Sequence, residues 1–505
     1  MVFALVFAVT APMALGVFDI YTATEQRGKL QDALDAATLY AARSTAQTDT
    51  DIATEGGRAL TANLQLISGA SLQSSSFHIV GANVVAQAAV KLPAFAPSLF
   101  DHQPVTVTSE VQRGMDKLEV TLVLDNTGSM SGTKLTTLKS QAKILIDKLV
   151  AGSKNSSDPT PLRIYLVPFS STVRVQGTTS LSSYNTVSHS GPGIPTWLDP
   201  QAKSHWTNGR SDVFDIQYTD RLTLMQRLGQ SWSGCVEQRI APFDILETAP
   251  SPSAPESMFV PWFWADEPDT TKFTSVNDYI PDVSASGTFS VREKYAAKYV
   301  ANPIWRHTGT IAKLGSGFSY GPNAGCTLQP MVRLTTNFTA LKTAIDAMTA
   351  IGDTNIPLGL VWGWHTLTPN AHLADGLAYD TPHLKKIVIL MTDGTNTFTD
   401  SNDNNDSYYS GQGWIWQLLT AMTRTSTASE RQAAMDARLS QLCTNMKAQK
   451  IDIYTIRVEV ASGSSALLES CATTPDKFFD VTNVNALGSA FYAIAASIAN
   501  LHIAH

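Results

Sequence analysis

Side chains with oxygen atoms suited to metal binding occur in three separate segments of this 505-residue chain. Asp125, Thr127 and Ser129 stand at alternate positions, so their side chains can converge on one point in a turn. A second carboxylate, Asp393, ends another apolar run, and a Gly-Asp-Thr-Asn loop offers the hydroxyl of Thr354. Carboxylate and hydroxyl oxygens are the ligands that small divalent cations prefer. The sequence therefore indicates a cation-binding function.

Predicted strands and helices alternate around these segments. Apolar runs predict strands at 118–124, 162–169, 386–391, 451–458 and 478–481, and amphipathic spacing predicts helices at 134–150, 431–449 and 487–501. Strands that are apolar throughout and separated by helices are typical of a parallel sheet covered on both faces. Ligands of such sheets bind beyond the carboxyl ends of the strands, which is where Asp125 and Asp393 fall. The predicted fold class is therefore α/β.

A long segment, 176–330, interrupts this alternation. It is rich in Ser, Pro, Gly and Asn and is too long for a plain loop, so it predicts an inserted, irregular subdomain. Its tryptophans are Trp197, Trp206, Trp232, Trp262, Trp264 and Trp305. We expect most of them to fill a small core, with an exposed aromatic patch for a partner as the alternative.

The composition excludes several classes of protein. With 43% hydrophobic and 16% charged residues, the chain is neither disordered nor collagen-like, and its length allows a large buried core. The formal net charge is −7, and no block of Lys and Arg occurs, which argues against a nucleic-acid partner.

The chain begins with an uncharged, largely apolar segment. Residues 1–17 carry no charged side chain, and a membrane-spanning helix needs about 17–25 residues. We interpret 1–18 as a transmembrane anchor, with a cleaved signal peptide and a buried core helix as the alternatives.

An amphipathic helix and a small module follow this segment. The residues at helical spacing are Leu30, Ala33, Leu34, Ala37, Tyr40 and Ala41. They predict an amphipathic helix over 19–46 that continues the apolar segment as one rod up to about Arg43. Alternating and β-branched residues then predict a small β-rich module over 47–112.

The four cysteines are Cys235, Cys326, Cys443 and Cys471. None belongs to a C-x-x-C pair or has a His at metal-ligand spacing, which argues against a zinc site. Two reduced, buried pairs or two disulfides are both compatible with the sequence, the disulfides if the chain leaves the cytosol. If the cysteines are oxidised, we expect Cys235 to pair with Cys326 and Cys443 with Cys471, because each pair lies within one predicted unit.

Three segments together resemble the von Willebrand factor A (vWA) domain. They are the D-x-T-x-S pattern after a strand, the Gly-Asp-Thr-Asn loop and an apolar strand that ends in Thr-Asp-Gly. The resemblance covers 117–175 and 331–505, with 176–330 as an insertion, and implies a Rossmann-like, doubly wound fold. The implied ligands of its metal-ion-dependent adhesion site (MIDAS) are Asp125, Thr127, Ser129, Thr354 and Asp393. The implied cation is Mg²⁺, with Mn²⁺ or Ca²⁺ as alternatives.

Helix capping is the structural alternative for the D-x-T-x-S pattern. A Thr or Ser before a helix often accepts a hydrogen bond from the backbone of the first turn. The family more often has Ser at the position of Thr127, and either residue supplies a hydroxyl. The occurrence of all three segments in the right order, each at the right strand end, favours the metal site over a simple cap.

The whole chain resembles the TadG-like proteins of bacterial tight-adherence (Tad/Flp) pilus systems. The apolar N-terminal segment runs into Leu-Gln-Asp-Ala-Leu-Asp-Ala-Ala at 30–37, and a vWA domain follows. Further motifs are Met-Phe-Val-Pro at 258–261, Tyr-Ile-Pro-Asp at 279–282, Gly-Pro-Asn-Ala-Gly-Cys at 321–326, Val-Trp-Gly-Trp at 361–364 and Leu-Cys at 442–443.

This resemblance implies a single-pass protein of the bacterial inner membrane, with the bulk of the chain in the periplasm or at the cell surface. The protein would bind rather than catalyse: the cation would keep one coordination position open for an Asp or Glu of a pilus or envelope protein. A cell-surface adhesin not tied to pili is one alternative. A metal-dependent hydrolase is another, although the sequence supplies no general base beside the cation.

Overall fold

The computed structural model describes most of the chain. The described residues are 2–44, 46, 48–65, 67, 69–80, 83–91, 104–112, 117–153, 159–269, 276–284, 286–306, 320–370, 372–401, 405–419, 422–459 and 465–500. For 2–20, 23, 112, 465 and 499–500, only the backbone is described. The described residues of 1–117, 149–161 and 499–505 form one compact unit, and those of 118–148 and 162–498 form a second.

The first unit packs helices on a three-stranded antiparallel sheet. Its elements are α1 (Val2–Arg43), α2 (Asp49–Leu64), β1 (Ser71–Val80), β2 (Asn83–Lys91) and β3 (Val105–Gln112), with the strands in the order β1-β2-β3. The second half of α1 buries Leu30, Leu34 and Ala37 in the same core as Phe77. Along β2, alternate residues from 84 to 90 enter this core, as expected of a strand with one covered face.

Two features of this unit differ from the sequence prediction. The start of the predicted β-rich module is the helix α2, whose buried residues Ile52, Gly56, Leu60 and Leu64 recur at the helical spacing of four. The hydroxyl of Thr48 caps this helix by accepting a hydrogen bond from the backbone N–H of Asp51. Tyr40, which we assigned to the apolar face of α1, is 47% exposed, and its hydroxyl bonds to Arg58.

The predicted membrane anchor at 1–18 lies outside the residues whose side chains are described. The backbone of 2–20 belongs to α1, which continues to Arg43 as the single rod that the sequence predicted. Among the helices of the described residues, none includes a stretch long and apolar enough to cross a membrane.

The second unit is built on a mixed sheet of eight strands, counted over its described residues. These are β4 (Lys117–Asp125), β5 (Leu162–Phe169), β6 (Val173–Arg174), β7 (Cys235–Val236), β8 (Val332–Thr335), β9 (Leu384–Thr392), β10 (Asp452–Val458) and β11 (Phe478–Val481). The helices are α3 (Thr133–Ser153), α4 (Arg221–Arg227), α5 (Phe289–Glu293), α6 (Phe338–Asp346), α7 (Ile356–Leu367), α8 (Ala428–Ala448), α9 (Ser465–Cys471) and α10 (Leu487–Asn500). Every predicted strand and helix of this unit is present, whereas the short strands β6, β7 and β8 were not predicted.

The centre of this sheet is parallel, as the sequence predicted. The strand order is β11-β10-β9-β4-β5-β6-β7, β8 pairs with β5, and parallel pairing joins β4 to β5, β9 to β10 and β10 to β11. Contacts at both ends show that β4 and β9 also run in the same direction, since Lys386 bonds to Glu119 near their starts and Thr392 bonds to Asp125 at their ends. From β4 the chain continues to β5 on one side, and from β9 it continues to β10 on the other. The strand order therefore reverses between β4 and β9.

The predicted insertion, 176–330, shares the core of the parallel sheet. One cluster of buried apolar residues includes Val123 and Leu390 from the sheet together with tryptophans from the insertion. The fully buried tryptophans of the insertion are Trp232, Trp262 and Trp264. The expectation that these side chains fill a core is thus met, but the core is that of the whole unit rather than a small one of their own.

Two disulfides use all four cysteines of the chain. Cys235 in β7 is bonded to Cys326 over 2.01 Å, and Cys443 in α8 is bonded to Cys471 at the end of α9 over 1.95 Å. Both lie within the second unit. The first ties two parts of the insertion together, and the second ties neighbouring helices beside β10.

Removal of each disulfide should destabilise the protein by an amount that follows the length of the loop it closes. The sequence separations are 91 residues for Cys235–Cys326 and 28 for Cys443–Cys471. Chain entropy then predicts losses of roughly 4–5 kcal/mol and roughly 3–4 kcal/mol for the respective double Ala variants. Urea unfolding of both variants measures the order of the two losses. A larger loss for the shorter loop would show that packing, not chain entropy, dominates.

Candidate metal site

The predicted ligands lie where the strand order reverses. β4 ends at Asp125, and Asp393 follows β9 directly. Ligand sites of parallel α/β sheets form at such a point, because the loops that leave the two neighbouring strands diverge and open a crevice. The hydroxyl of Thr392 joins the two strand ends by donating a hydrogen bond to Oδ2 of Asp125 over 2.6 Å.

Asp125 organises the turn that follows β4. Its Oδ1 accepts hydrogen bonds from the backbone N–H and the hydroxyl of Thr127, at 2.8 and 2.6 Å. The hydroxyl oxygens of Thr127 and Ser129 lie 3.0 Å apart, and a short 3₁₀ helix at Gly128–Met130 carries Ser129. Asp125 is fully buried, whereas Ser129 is exposed. The turn therefore leads from a buried carboxylate to a hydroxyl at the surface.

The structure gives the hydroxyls of this turn a role other than helix capping. α3 begins only at Thr133, after the motif. Thr127 precedes the 3₁₀ helix, but its side chain makes no capping hydrogen bond to it. The hydroxyl of Ser129 donates to Oδ1 of Asp393 over 2.7 Å. The hydroxyls of the motif thus bond to the two carboxylates.

Asp393 has a second partner that the sequence analysis did not identify. The ammonium of Lys134 lies 2.7 Å from its Oδ2. The side chain of Lys134 is 23% exposed, while that of Asp393 is fully buried. Lys134 stands in the first turn of the helix that follows the motif. This position is the one feature of the sequence that could have indicated a contact between Lys134 and the site.

Backbone and side-chain contacts place Thr354 beside the turn. The N–H of Gly128 donates to the carbonyl of Gly352 over 2.9 Å, which holds the two loops together. A Cβ on Gly394 would lie 3.4 Å from Oγ1 of Thr354 and 3.9 Å from Oγ of Ser129. Both hydroxyls therefore lie next to Gly394, the residue that follows the second carboxylate.

The charged form of the Asp125 carboxylate is disfavoured by its surroundings. Burial raises its pKa to about 6, and the charge of Asp393 adds to the rise. Hydrogen bonds from Thr127 and Thr392 lower the pKa without cancelling these effects. A cation beside the two carboxylates would offset both the burial and the repulsion, so the electrostatics of the site favour a positive ion.

The available donors suit a small, hard cation. The five side chains offer carboxylate and hydroxyl oxygens and no nitrogen or sulfur. Within the described part of the chain, no three His, Cys, Asp or Glu residues come together in a metal-binding arrangement. Oxygen donors of this kind fit Mg²⁺, Mn²⁺ or Ca²⁺.

No protein-family model and no curated protein matches the chain. Among solved structures, the pilus adhesin SpaC from Lactobacillus rhamnosus GG is similar with 11% identity and a TM-score of 0.35, over 86% of this chain and 35% of that chain. This chain thus spans about a third of the length of SpaC. The vWF domain of the type V pili tip protein Mfa5 from Porphyromonas gingivalis is 12% identical, with a TM-score of 0.33, over 77% of this chain and 97% of that chain.

A third similar structure is proximal thread matrix protein 1 from the mussel byssus, with a zinc-occupied MIDAS motif. It is 12% identical, with a TM-score of 0.20, over 77% of this chain and 96% of that chain. All three TM-scores are below 0.5, so these similarities assign no function to this chain.

The raised pKa of Asp125 should make the stability of the metal-free protein depend on pH. A folded-state pKa of about 6, against 3.8 for the unfolded chain, means that the folded protein binds this proton more tightly. Stability from this group is therefore fully present below about pH 4 and is lost as the pH rises through 6, by roughly 3 kcal/mol in total. Asp125→Asn does not titrate and should lack this component.

Urea unfolding in the presence of a chelator, at pH values from 4 to 7, measures the difference between wild type and Asp125→Asn. As the pH falls, the free energy of unfolding of the wild type should increase relative to that of the variant. A difference that is constant over this range would contradict the raised pKa.

Proposed function

We propose that this chain is a binding protein whose second unit holds a divalent cation, preferably Mg²⁺. The ligands are Asp125, Thr127, Ser129, Thr354 and Asp393. One observation carries the proposal: where the strand order reverses, two carboxylates from neighbouring parallel strands bond to the hydroxyls of Thr127 and Ser129, and the hydroxyl of Thr354 lies beside the next residue, Gly394. When bound, the cation supplies a coordination position that an Asp or Glu of a protein partner can fill.

The chain's own residues hold and expose this position. Asp125 is fixed from inside by Thr127 and Thr392, so it can hold an ion without rearrangement of the turn. Gly128 and Ser129 are exposed and have little or no side chain, so a partner can approach the site from solvent on their side. The arrangement suits recognition of a protruding acidic side chain.

We place this binding protein in Tad/Flp pilus assembly or anchoring, on the strength of the sequence resemblance to TadG-like proteins. The anchor is the apolar segment 1–18, whose backbone continues in one helix to Arg43. The protein is then a single-pass protein of the inner membrane, with the bulk of the chain in the periplasm or at the cell surface. Two disulfides suit such an oxidising compartment.

Substitution of the buried carboxylate should abolish cation binding. Asp125→Ala removes the innermost ligand, so isothermal titration with Mn²⁺ should show binding to the wild type and none to the variant. Asp147→Ala is the matched control, because Asp147 is an exposed carboxylate on α3 that pairs with Lys342 instead. Equal heats for wild type and Asp125→Ala would contradict the proposed ligand set.

The bound cation should keep a position open to carboxylates. Mn²⁺ held by the protein should retain exchangeable water, which is detected by the relaxation of water protons. A short peptide with one Asp should lower this relaxation enhancement by displacing the water, whereas the same peptide with Asn should not. An enhancement that neither peptide changes would show that the ion is closed off from partners.

The proposed topology predicts where the chain is found in a bacterial host. The full chain should sediment with membranes, and deletion of 2–20 should release it to the soluble fraction. Protease added to spheroplasts should digest the bulk of the chain while a cytosolic marker protein survives. Protection of 47–505 under these conditions would reverse the proposed orientation.

A further inference from the structure

Lys134 is a cation already present at the candidate metal site. Its ammonium lies 2.7 Å from Oδ2 of Asp393, whose side chain is fully buried. An exposed ion pair contributes little, but here one partner is removed from water, so the pair interacts more strongly than a surface salt bridge. Lys134 therefore neutralises one of the two negative charges that a metal would neutralise.

The partners of the four carboxylate oxygens differ in how they can respond to a metal. Three of these oxygens accept hydrogen bonds from Thr127, Ser129 and Thr392, and the fourth, Oδ2 of Asp393, accepts one from the ammonium of Lys134. A hydroxyl can rotate its hydrogen away and offer a lone pair to a cation, so Thr127 and Ser129 can change from donor to ligand in place. An ammonium has three donors and no lone pair, so Lys134 cannot become a ligand.

We propose that Lys134 is a tethered competitor that a divalent cation displaces from Asp393. This inference rests on the proposed function, since it concerns the same site. The ammonium holds Asp393 in place while no metal is bound, and it leaves when the metal takes Oδ2. Metal affinity is then set in part by the free energy of the ion pair between Lys134 and Asp393.

The position of Lys134 allows this exchange. It stands in the first turn of α3, and its side chain is 23% exposed at the edge of the site. The neighbouring Gly132 and Thr133 are exposed, so a rotation about the flexible side chain carries the ammonium into water without movement of the helix. The exchange therefore needs no change of backbone.

Mn²⁺ titrations of two charge-matched variants separate competition from a general charge effect. Lys134→Met removes the competitor, so it should bind Mn²⁺ at least tenfold more tightly than the wild type. Lys139→Met removes the same charge from the same helix, but its ammonium bonds to the backbone carbonyl of Asp346, so its affinity should stay within about twofold of the wild type. Thermal unfolding checks that both variants are folded.

A labelling experiment on the wild type tests the displacement itself. Acetic anhydride modifies free amines, and mass spectrometry can follow Lys134 and Lys139 separately. Saturation with Mg²⁺ should increase the acetylation rate of Lys134 severalfold and leave that of Lys139 unchanged. This readout needs no variant and therefore holds even if Lys134→Met does not fold.

The proposed metal site and the competition by Lys134 would be contradicted by different results. Absence of Mn²⁺ binding to both wild type and Lys134→Met would overturn the proposed metal site and this inference with it. Equal Mn²⁺ affinity of the two proteins, or Lys134 acetylation that Mg²⁺ leaves unchanged or slows, would overturn the competition and leave the metal site standing.

Discussion

Two buried carboxylates held close together are the constraint on which this structure depends. Asp125 and Asp393 end neighbouring strands, both are buried, and their mutual repulsion helps to raise the pKa of Asp125 to about 6. The surrounding contacts oppose this cost: hydroxyls donate to both carboxylates, and Lys134 pairs with the second one. A bound cation should stabilise a fold that holds such a pair, because the ion offsets the burial and mutual repulsion of the two charges. Without the ion, only hydrogen bonds and one lysine oppose this unfavourable free energy.

The scaffold around the pair is more extensive than a minimal parallel α/β unit. The insertion shares its core and reaches the site, since the side-chain amide of Asn355 donates to Gln238 over 3.1 Å. Asn355 follows Thr354, so the insertion braces the loop that carries the third hydroxyl. Gln238 lies close to Cys235, whose disulfide to Cys326 ties the insertion to itself. The insertion thus helps to position the site rather than forming a separate appendage.

The sequence predicted the strands of the parallel sheet because strands buried on both faces are apolar throughout, as β4 and β9 are. The candidate ligands could be predicted because they directly follow such strands or lie in a short polar loop. Lys134 and Thr392 could not be assigned, because their partners depend on which strands become neighbours, and a single sequence does not encode that locally. The helix α2 was missed because its buried face is narrow and includes Gly56. The shared core of the insertion depends on long-range packing of Trp232 and Trp262, which residue type alone does not reveal.

We propose that a divalent cation binds between the ends of β4 and β9. Crystals of the intact chain can be soaked in Mn²⁺ and measured at an X-ray energy at which manganese scatters anomalously. The anomalous difference map then shows the position of the ion directly. We expect one strong anomalous peak within bonding distance of oxygen atoms of the five proposed ligands, which are Asp125, Thr127, Ser129, Thr354 and Asp393. An anomalous map with no peak at this position, or with the ion bound elsewhere on the chain, would contradict it.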